Sequence, residues 1–294
     1  MIRFARTEQA HAKINLVLRI LAREASGYHG IETMFQRLAL HDVVTVNVGD
    51  DDRTVTCHGP MMPADGFGAM AQNLAWRAAE LYAQEAHWAT GWHIVIDKQI
   101  PVGGGLGGGS ADAAAVLRAM EAMSPAPLGA ARVLELAGAL GSDVPFLLTQ
   151  ASCAWAWGRG DRLLALPPLP VVPVWLMPCS EGVNTGEAYR AFAAMREASG
   201  TLVRAREYSV DAFASWEQIA KIVENDFERV IPALHAGVSE TLAHLKGLAK
   251  ALNEKAGTAI GMLSGSGATC FLLMSGAEDD FGFGSKRGIK THTL

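Results

Sequence analysis

Residues 12–20 alternate along the chain, with Ile14, Leu16, Leu18 and Ile20 on one side and Lys13, Asn15, Val17 and Arg19 on the other. That period of two predicts a strand whose apolar row faces a core. A turn is expected at Ser26–His29, strands over Glu32–Leu38 and Asp42–Val48, and a solvated turn at Asp50–Arg53. The period then lengthens. Leu74, Ala75, Ala78 and Leu81 make one apolar stripe, which predicts a helix over Gln72–Ala86. Trp92–Asp97 is β-branched and reads as a strand, and Ala111–Met123 reads as an Ala-rich helix with Ser110 as its N-cap. A further helix follows over Gly129–Leu140, ended by Gly141, after which Ser142–Pro145 turns the chain out.

Leu166–Pro178 is rich in proline and breaks the composition; it is expected to carry a domain crossing and one strand, Val171–Met177. Helices are expected at Thr185–Ala198, Ser209–Val223 and His235–Leu252, then a strand, glycine turn and strand over Ile260–Leu273. Residues 277–294 are polar, glycine-containing and without periodicity, so an irregular, disordered or loosely attached tail is expected, with a second domain that lacks an element. The expected divisions are residues 1–165, 166–276 and the tail 277–294. The pattern describes an α+β chain.

The most informative interruption is Pro101–Ser110, where between residues 103 and 109 six glycines (Gly103, Gly104, Gly105, Gly107, Gly108 and Gly109) surround one apolar residue, Leu106. A strand before it and a helix behind it make a linker a poor description. Such a loop exposes backbone N–H groups beside the positive end of a helix dipole, an arrangement suited to a polyphosphate. It is not a Walker A motif, because no lysine precedes Ser110. It is a poor dinucleotide fingerprint, because a loop at Ser124–Leu128 stands where a second strand with an acidic end is required.

Composition narrows the classes. The 294 residues are 50% hydrophobic and 19% charged, with a net charge of −5, so a core is available and there is no bulk attraction to nucleic acid or an anionic membrane. The four cysteines (Cys57, Cys153, Cys179, Cys270) form no Cys-x-x-Cys pair, which favours reduced cytoplasm over a thiolate metal site or disulfide framework. The N-terminus has no signal-peptide apolar core. The longest uncharged apolar run, Leu163–Cys179, holds five prolines and cannot be a membrane helix.

Lys13 and Asn15 lie two apart on a strand, roughly 7 Å apart at ~3.3 Å per residue. Alone they describe an exposed sheet face. Asp143, in a turn after a helix, alone describes an Asx-turn or cap, and Ser264–Gly267 a hairpin turn. Together, a phosphate loop, a lysine, an aspartate and a second Gly/Ser turn are the parts a phosphoryl-transfer site needs: donors on the phosphates, a cation near the transferred group and a base for the accepting hydroxyl.

Three segments in order, Ala12–Leu16 (Ala-Lys-Ile-Asn-Leu), Pro101–Ala114 and Leu263–Phe271 (Leu-Ser-Gly-Ser-Gly-Ala-Thr-Cys-Phe), resemble the motifs of the galactokinase, homoserine kinase, mevalonate kinase and phosphomevalonate kinase superfamily. With Gly27-Tyr-His29 and Gly141-Ser-Asp-Val-Pro145 added, the pattern is most similar to the branch that phosphorylates a cytidine diphosphate conjugate of methylerythritol in non-mevalonate isoprenoid synthesis. The resemblance spans roughly residues 8 to 275.

It implies a two-domain fold, an N-terminal β/α nucleotide-binding domain and a C-terminal ferredoxin-like α/β domain, with the active site in the cleft between them. It implies ATP and Mg2+ as cofactors and Asp143 as general base with Lys13 stabilising charge beside it. Pro101, Val102, Gly103, Gly104, Gly105, Leu106, Gly107, Gly108, Gly109 and Ser110 would wrap the ATP phosphates, with Lys98 and Asn73 flanking the nucleotide. Asn15, Tyr28, His29, Thr185, Tyr189, Ser264 and Gly265 would bind substrate, Tyr28 and His29 recognising the cytosine and Tyr189 forming a second aromatic wall. A cytoplasmic monomer or weak homodimer is expected, with a small-molecule substrate and neither nucleic acid nor membrane as partner. A homoserine- or mevalonate-type kinase and an inactive nucleotide-binding homologue remain open as alternatives. The chain departs from the family pattern at His11, where a proline is usual, and in the tail.

Overall fold

The computed structural model describes residues 4–23, 29–49, 52–63, 66, 68–200, 203, 205–255, 257–276 and 288–294. The strands are β1 (Phe4–Arg23), β2 (His29–Gly49), β3 (Arg53–His58), β4 (Gly91–Asp97), β5 (Cys153–Gly158), β6 (Arg162–Ala165), β7 (Pro173–Met177), β8 (Glu224–Asn225), β9 (Thr258–Leu263), β10 (Cys270–Ser275) and β11 (Ile289–His292). The helices are α1 (Leu74–Glu85), α2 (Gly108–Met123), α3 (Ala130–Leu140), α4 (Val144–Leu148), α5 (Thr185–Ser199), α6 (Trp216–Ile219), α7 (Ile231–Leu234) and α8 (Ala236–Asn253). Short 3-10 turns stand at Met70–Gln72, Val210–Phe213 and Asp226–Arg229.

Two compact units interleave along the chain. The first comprises Met1–Lys13, Leu40–Val102 and Gly107–Gln150; the second comprises Ile14–Ala39, Gly103–Leu106 and Ala151–Leu294. In the first unit β4 pairs antiparallel with β2, Val46 opposite Ile94, and parallel with β3, Val55 opposite Ile94. Val44, Val46 and Val48 of β2 and Trp92, Ile94 and Ile96 of β4 are buried on alternate positions, as a strand period requires. Against β3 and β4 lies α1, which packs on α2; the buried positions of both helices are largely alanine (Ala75, Ala78, Ala79; Ala111, Ala113, Ala114, Ala115), so they approach closely.

In the second unit β5 pairs antiparallel with β2 and with β6, and β8 pairs parallel with β1. A separate four-stranded antiparallel sheet runs β11-β7-β10-β9, with α8 against β9 and β10. Gly261 makes that packing possible: a Cβ there would lie 2.7 Å from the Leu245 carbonyl oxygen of α8. Among the described residues no helix is long and apolar enough to cross a membrane.

Several expectations are corrected. The strands expected at Glu32–Leu38 and Asp42–Val48 are one strand, because Ala39–His41 contains no residue that breaks extended backbone. Both faces of residues 12–20 are buried, with Lys13 and Asn15 each only 3% exposed, so Lys13 and Asn15 are not on a solvated face. Ser209–Val223 is a 3-10 turn and the short α6, separated by Ser215, whose hydroxyl accepts from Gln218 N. The strands β3, β5 and β6 had no expected counterpart.

The largest correction is at the C-terminus. Residues 289–292 of the expected irregular tail are strand β11, antiparallel to β7 with Ile289 opposite Leu176. The last residues are tied further: Val172 N donates to the buried Thr293 hydroxyl at 3.0 Å and Leu294 N donates to Arg37 O at 3.1 Å. Four residues are too few for a period to register, and the pairing to a distant edge strand supplies what the local pattern lacks. Thr293→Ala leaves the Val172 N–H buried without that acceptor and is expected to cost about 1–3 kcal/mol, measured by urea denaturation.

Candidate functional site

The glycine segment leaves β4 through Pro101 and meets α2. Gly103, Gly105 and Gly107 take φ of 70°, 75° and 73°, the left-handed region that favours glycine. Helix α2 begins at Gly108 with Gly107 as N-cap, not at Ser110, and so the first turn contains Gly108, Gly109 and Ser110. Their N–H groups have no intrahelical acceptor and stand at the positive end of a 16-residue helix. In the first unit Gly107 lies on the lysine stem: a Cβ there would stand 3.1 Å from both Cγ and Cε of Lys13.

Lys13 Nζ pairs with Asp143 Oδ2 at 3.2 Å, the lysine side chain 4% and the aspartate 30% exposed. Asp143 occupies the N-cap position of α4, yet its side chain makes no capping hydrogen bond. The carboxylate is given to Lys13 instead, and it remains partly open to solvent. Sequence reasoning could not separate those two uses.

In the second unit Gly103–Leu106 is fastened to Ser264–Thr269. Ser264 Oγ donates to Gly105 O at 3.0 Å, Thr269 N donates to Gly104 O at 3.1 Å, and Gly267 N donates to Ser264 O at 2.9 Å. A Cβ on Gly105 would fall 2.1 Å from the Ser264 carbonyl oxygen. Asn225 closes the same turn from β8, its Nδ2 donating to Leu263 O and Gly265 O. Asn15 Nδ2 donates to Thr33 Oγ1 at 2.8 Å, and its Oδ1 would lie 3.5 Å from a Cβ on Gly265. Thr185 Oγ1 and Ser266 Oγ are 3.0 Å apart. His29 stacks on Tyr189 with ring centroids 5.1 Å apart and planes 13° from parallel, and Tyr189 meets the edge of Phe227. Two of the three expected aromatic contributors therefore touch each other. Tyr28 lies outside the described residues.

Lys98 and Asn73 stand in the first unit with partners of their own. Asn73 caps α1, its Oδ1 accepting from Ala75 N at 2.9 Å, and it lines a cavity of about 160 Å³ with Val55, Cys57, Met62, Gly68, Ala69 and Met70. Lys98 is buried between Asp42 and Asp112. Burial pulls the lysine down, but the charges of Asp112 and Asp42 outweigh it and hold Lys98 above its ordinary value. Burial, opposed by Lys98 and reinforced by Asp42, pushes Asp112 up to about 7. Sequence reasoning missed Asp42, Asp112, Thr33 and Asn225. Of these only Asp112, four residues into a glycine-opened helix, stood beside a recognised motif.

Residues 73–150 match the family model described as the GHMP kinases N terminal domain. The chain is 33% identical over 273 residues to 4-diphosphocytidyl-2-C-methyl-D-erythritol kinase of Desulfitobacterium hafniense (strain Y51), covering 92% of this chain and 87% of that protein. It is 38% identical over 276 residues to the same-named kinase of Synechococcus sp. (strain JA-3-3Ab), covering 92% and 85%. A crystal structure of 4-(cytidine 5'-diphospho)-2C-methyl-D-erythritol kinase superposes with a TM-score of 0.67 at 33% identity, covering 91% of this chain and 90% of that one. The α+β, GHMP kinase-like fold expected from the motifs is thus the fold observed.

The 2.1 Å approach makes Gly105→Ala the sharpest test of the clamp. It is expected to cost about 1–3 kcal/mol of stability, whereas Gly103→Asn, where a Cβ meets nothing within 4 Å and Asn tolerates positive φ, stays near wild type. Denaturant unfolding of both variants checks this.

Proposed function

This chain belongs to the 4-diphosphocytidyl-2-C-methyl-D-erythritol kinase family and is an ATP-dependent small-molecule kinase, and on that premise we propose that it phosphorylates the 2-hydroxyl of 4-diphosphocytidyl-2-C-methyl-D-erythritol. In this reading the hydroxyl oxygen attacks the γ-phosphorus in line, the bond from that phosphorus to the β-bridging oxygen breaks, and ADP leaves. The hydroxyl proton passes to Asp143. Lys13 offsets the charge that builds on the transferred group, and the N–H groups at the start of α2 hold the phosphates.

The observation that carries the proposal is the Lys13–Asp143 pair beside Gly107. A carboxylate that forgoes its cap, keeps partial solvent access and holds a buried lysine has the reach of a general base beside the anion-binding end of a helix. The cavity lined by Val55, Cys57, Met70 and Asn73 has the apolar walls and the amide that a purine ring uses, which supports Asn73 as a nucleotide residue. Lys98, with its ammonium taken by two carboxylates, would serve the nucleotide site through Asp42, which holds the backbone of Gln99 and Ile100. Magnesium would ride on the triphosphate and water, as a hard cation does at nucleotide sites; among the described residues no three His, Cys, Asp or Glu side chains gather as a ligand set.

On the substrate side Asn15, Thr185, Ser264 and Gly265 would contact the methylerythritol diphosphate part. The base would be read by Tyr28 and His29, with Tyr189 able to stack once its ring parts from His29. The active protein is proposed to be a cytoplasmic monomer or weak homodimer.

Two outcomes test the assignment. Asp143→Ala is expected to lower turnover by about 10²–10⁴ with ATP affinity retained; turnover within a few-fold of wild type, measured as ADP release with the cytidine substrate, would remove Asp143 from the mechanism. Tyr28→Ala is expected to raise the KM for the cytidine substrate with kcat nearly unchanged. An unaltered KM would point to another superfamily kinase.

A further inference from the structure

Beneath the first turn of α2 lies a cluster that the phosphoryl transfer does not use. Lys98 Nζ donates to Asp42 Oδ2 and, at 2.7 Å, to Asp112 Oδ2. Asp42 Oδ1 accepts from the backbone N–H groups of Gln99 at 2.6 Å and Ile100 at 2.8 Å, fixing the segment that leads into Pro101. Asp112 Oδ1 is buried and, among the described residues, has no hydrogen-bond partner. The side chains of Lys98, Asp42 and Asp112 are 2%, 0% and 7% exposed. The ammonium sits directly under the helix start: a Cβ on Gly108 would lie 3.5 Å from Lys98 Nζ.

Two carboxylates share one ammonium, so the fully ionised cluster carries an uncompensated negative charge in the interior, which is costly. The partner-poor carboxyl is the place for a proton. Lys98 and Asp42 are the charged groups that act on Asp112, and the Cys57 thiol of β3 feels the same cluster. Helices α1, α3 and α4, packed on α2, bury mainly apolar side chains such as Ala78, Leu136 and Phe146; the titratable group they bury is Tyr82, whose hydroxyl donates to Glu121, and they bring no buried charge to Asp112.

We propose that Asp112 is a positioning residue that couples a proton to nucleotide binding: a polyphosphate seated on the first turn of α2 drives Asp112 to its neutral form, and the Asp42–Lys98 pair then holds Gln99, Ile100 and the helix start in register. The inference rests on the reading that ATP phosphates settle at that turn. The sign follows from the charges. In the free protein Asp112 titrates at about 7. Added negative charge nearby favours the protonated carboxyl, so binding takes up a proton, and affinity falls as pH rises above about 7, by up to about tenfold per pH unit within the linked window.

The test is titration calorimetry of the full chain with Mg2+ and a non-hydrolysable ATP analogue at pH 8, in two buffers of different ionisation enthalpy. Wild type is expected to take up protons and Asp112→Asn to take up none, with affinity of the variant flat from pH 7 to 9. Equal proton uptake by both overturns the proposal. Binding by wild type without proton uptake overturns it alone, whereas no binding at all overturns the ATP reading with it. Infrared difference spectra of wild type supply a readout independent of the variant's folding: a protonated carboxyl band should grow on adding the analogue at pH 8, and its absence counts against the proposal. The variant should also gain stability over wild type at pH 8.5 relative to pH 5.5. Burial places the folded-state pKa above the unfolded one, so the stability linked to Asp112 is present at low pH and lost as pH rises through about 7.

Discussion

The site depends on backbone coming closer to its neighbours than a side chain permits. Gly105 lies against the Ser264 carbonyl and Gly107 against the stem of Lys13, each with a positive φ. A Cβ at either position would push the loop away from the group that anchors it. Six glycines in one segment are thus not a generic provision of flexibility. In the second unit they let Gly103–Leu106 lie against the Ser264–Thr269 turn, and in the first they let Gly107 open α2 against Lys13.

Once the loop is held this way, charge decides the rest. A helix start that exposes N–H groups attracts a polyanion, and a buried lysine paired with a half-open aspartate stands at the residue that begins that helix. The second lysine, Lys98, is used differently. It neutralises Asp42, whose other oxygen ties the two residues before Pro101, and it leaves Asp112 short of a full counter-charge. One lysine pairs with the partly open Asp143 beside Gly107, and the other neutralises the carboxylate that holds the segment before Pro101.

The local elements that were legible were those with several periods in hand. Alternation revealed residues 12–20 of β1, β-branched residues revealed β4, and α1, α3, α5 and α8 were expected within a residue or two of their ends. Short elements were legible only in part: β7, β9 and β10 were expected beside a proline break or a glycine turn, whereas β3, β5, β6 and β11 were not, and the identity of these comes from partners elsewhere in the chain. The same holds for the break inside Ser209–Val223, where helix-compatible residues yield to a Ser215 cap and to Asn225, whose side chain is needed at the Ser264 turn.

For the site, motif order along the chain sufficed to nominate Lys13, Asp143 and the glycine loop, because the chemistry of holding phosphate demands those residue types close to a helix start. The sequence alone therefore determined the class of fold and the reaction family. Tertiary structure decided which use each nominee has. Asp143 could cap a helix or face a lysine, and only the position of Lys13 resolves it. Lys98 could reach a nucleotide or sit in the core, and only the two carboxylates that surround it, one of them 56 residues away, send it inward. A side chain's type is local, but its electrostatic surroundings are assembled from distant strands, and these cannot be read from the order of residues.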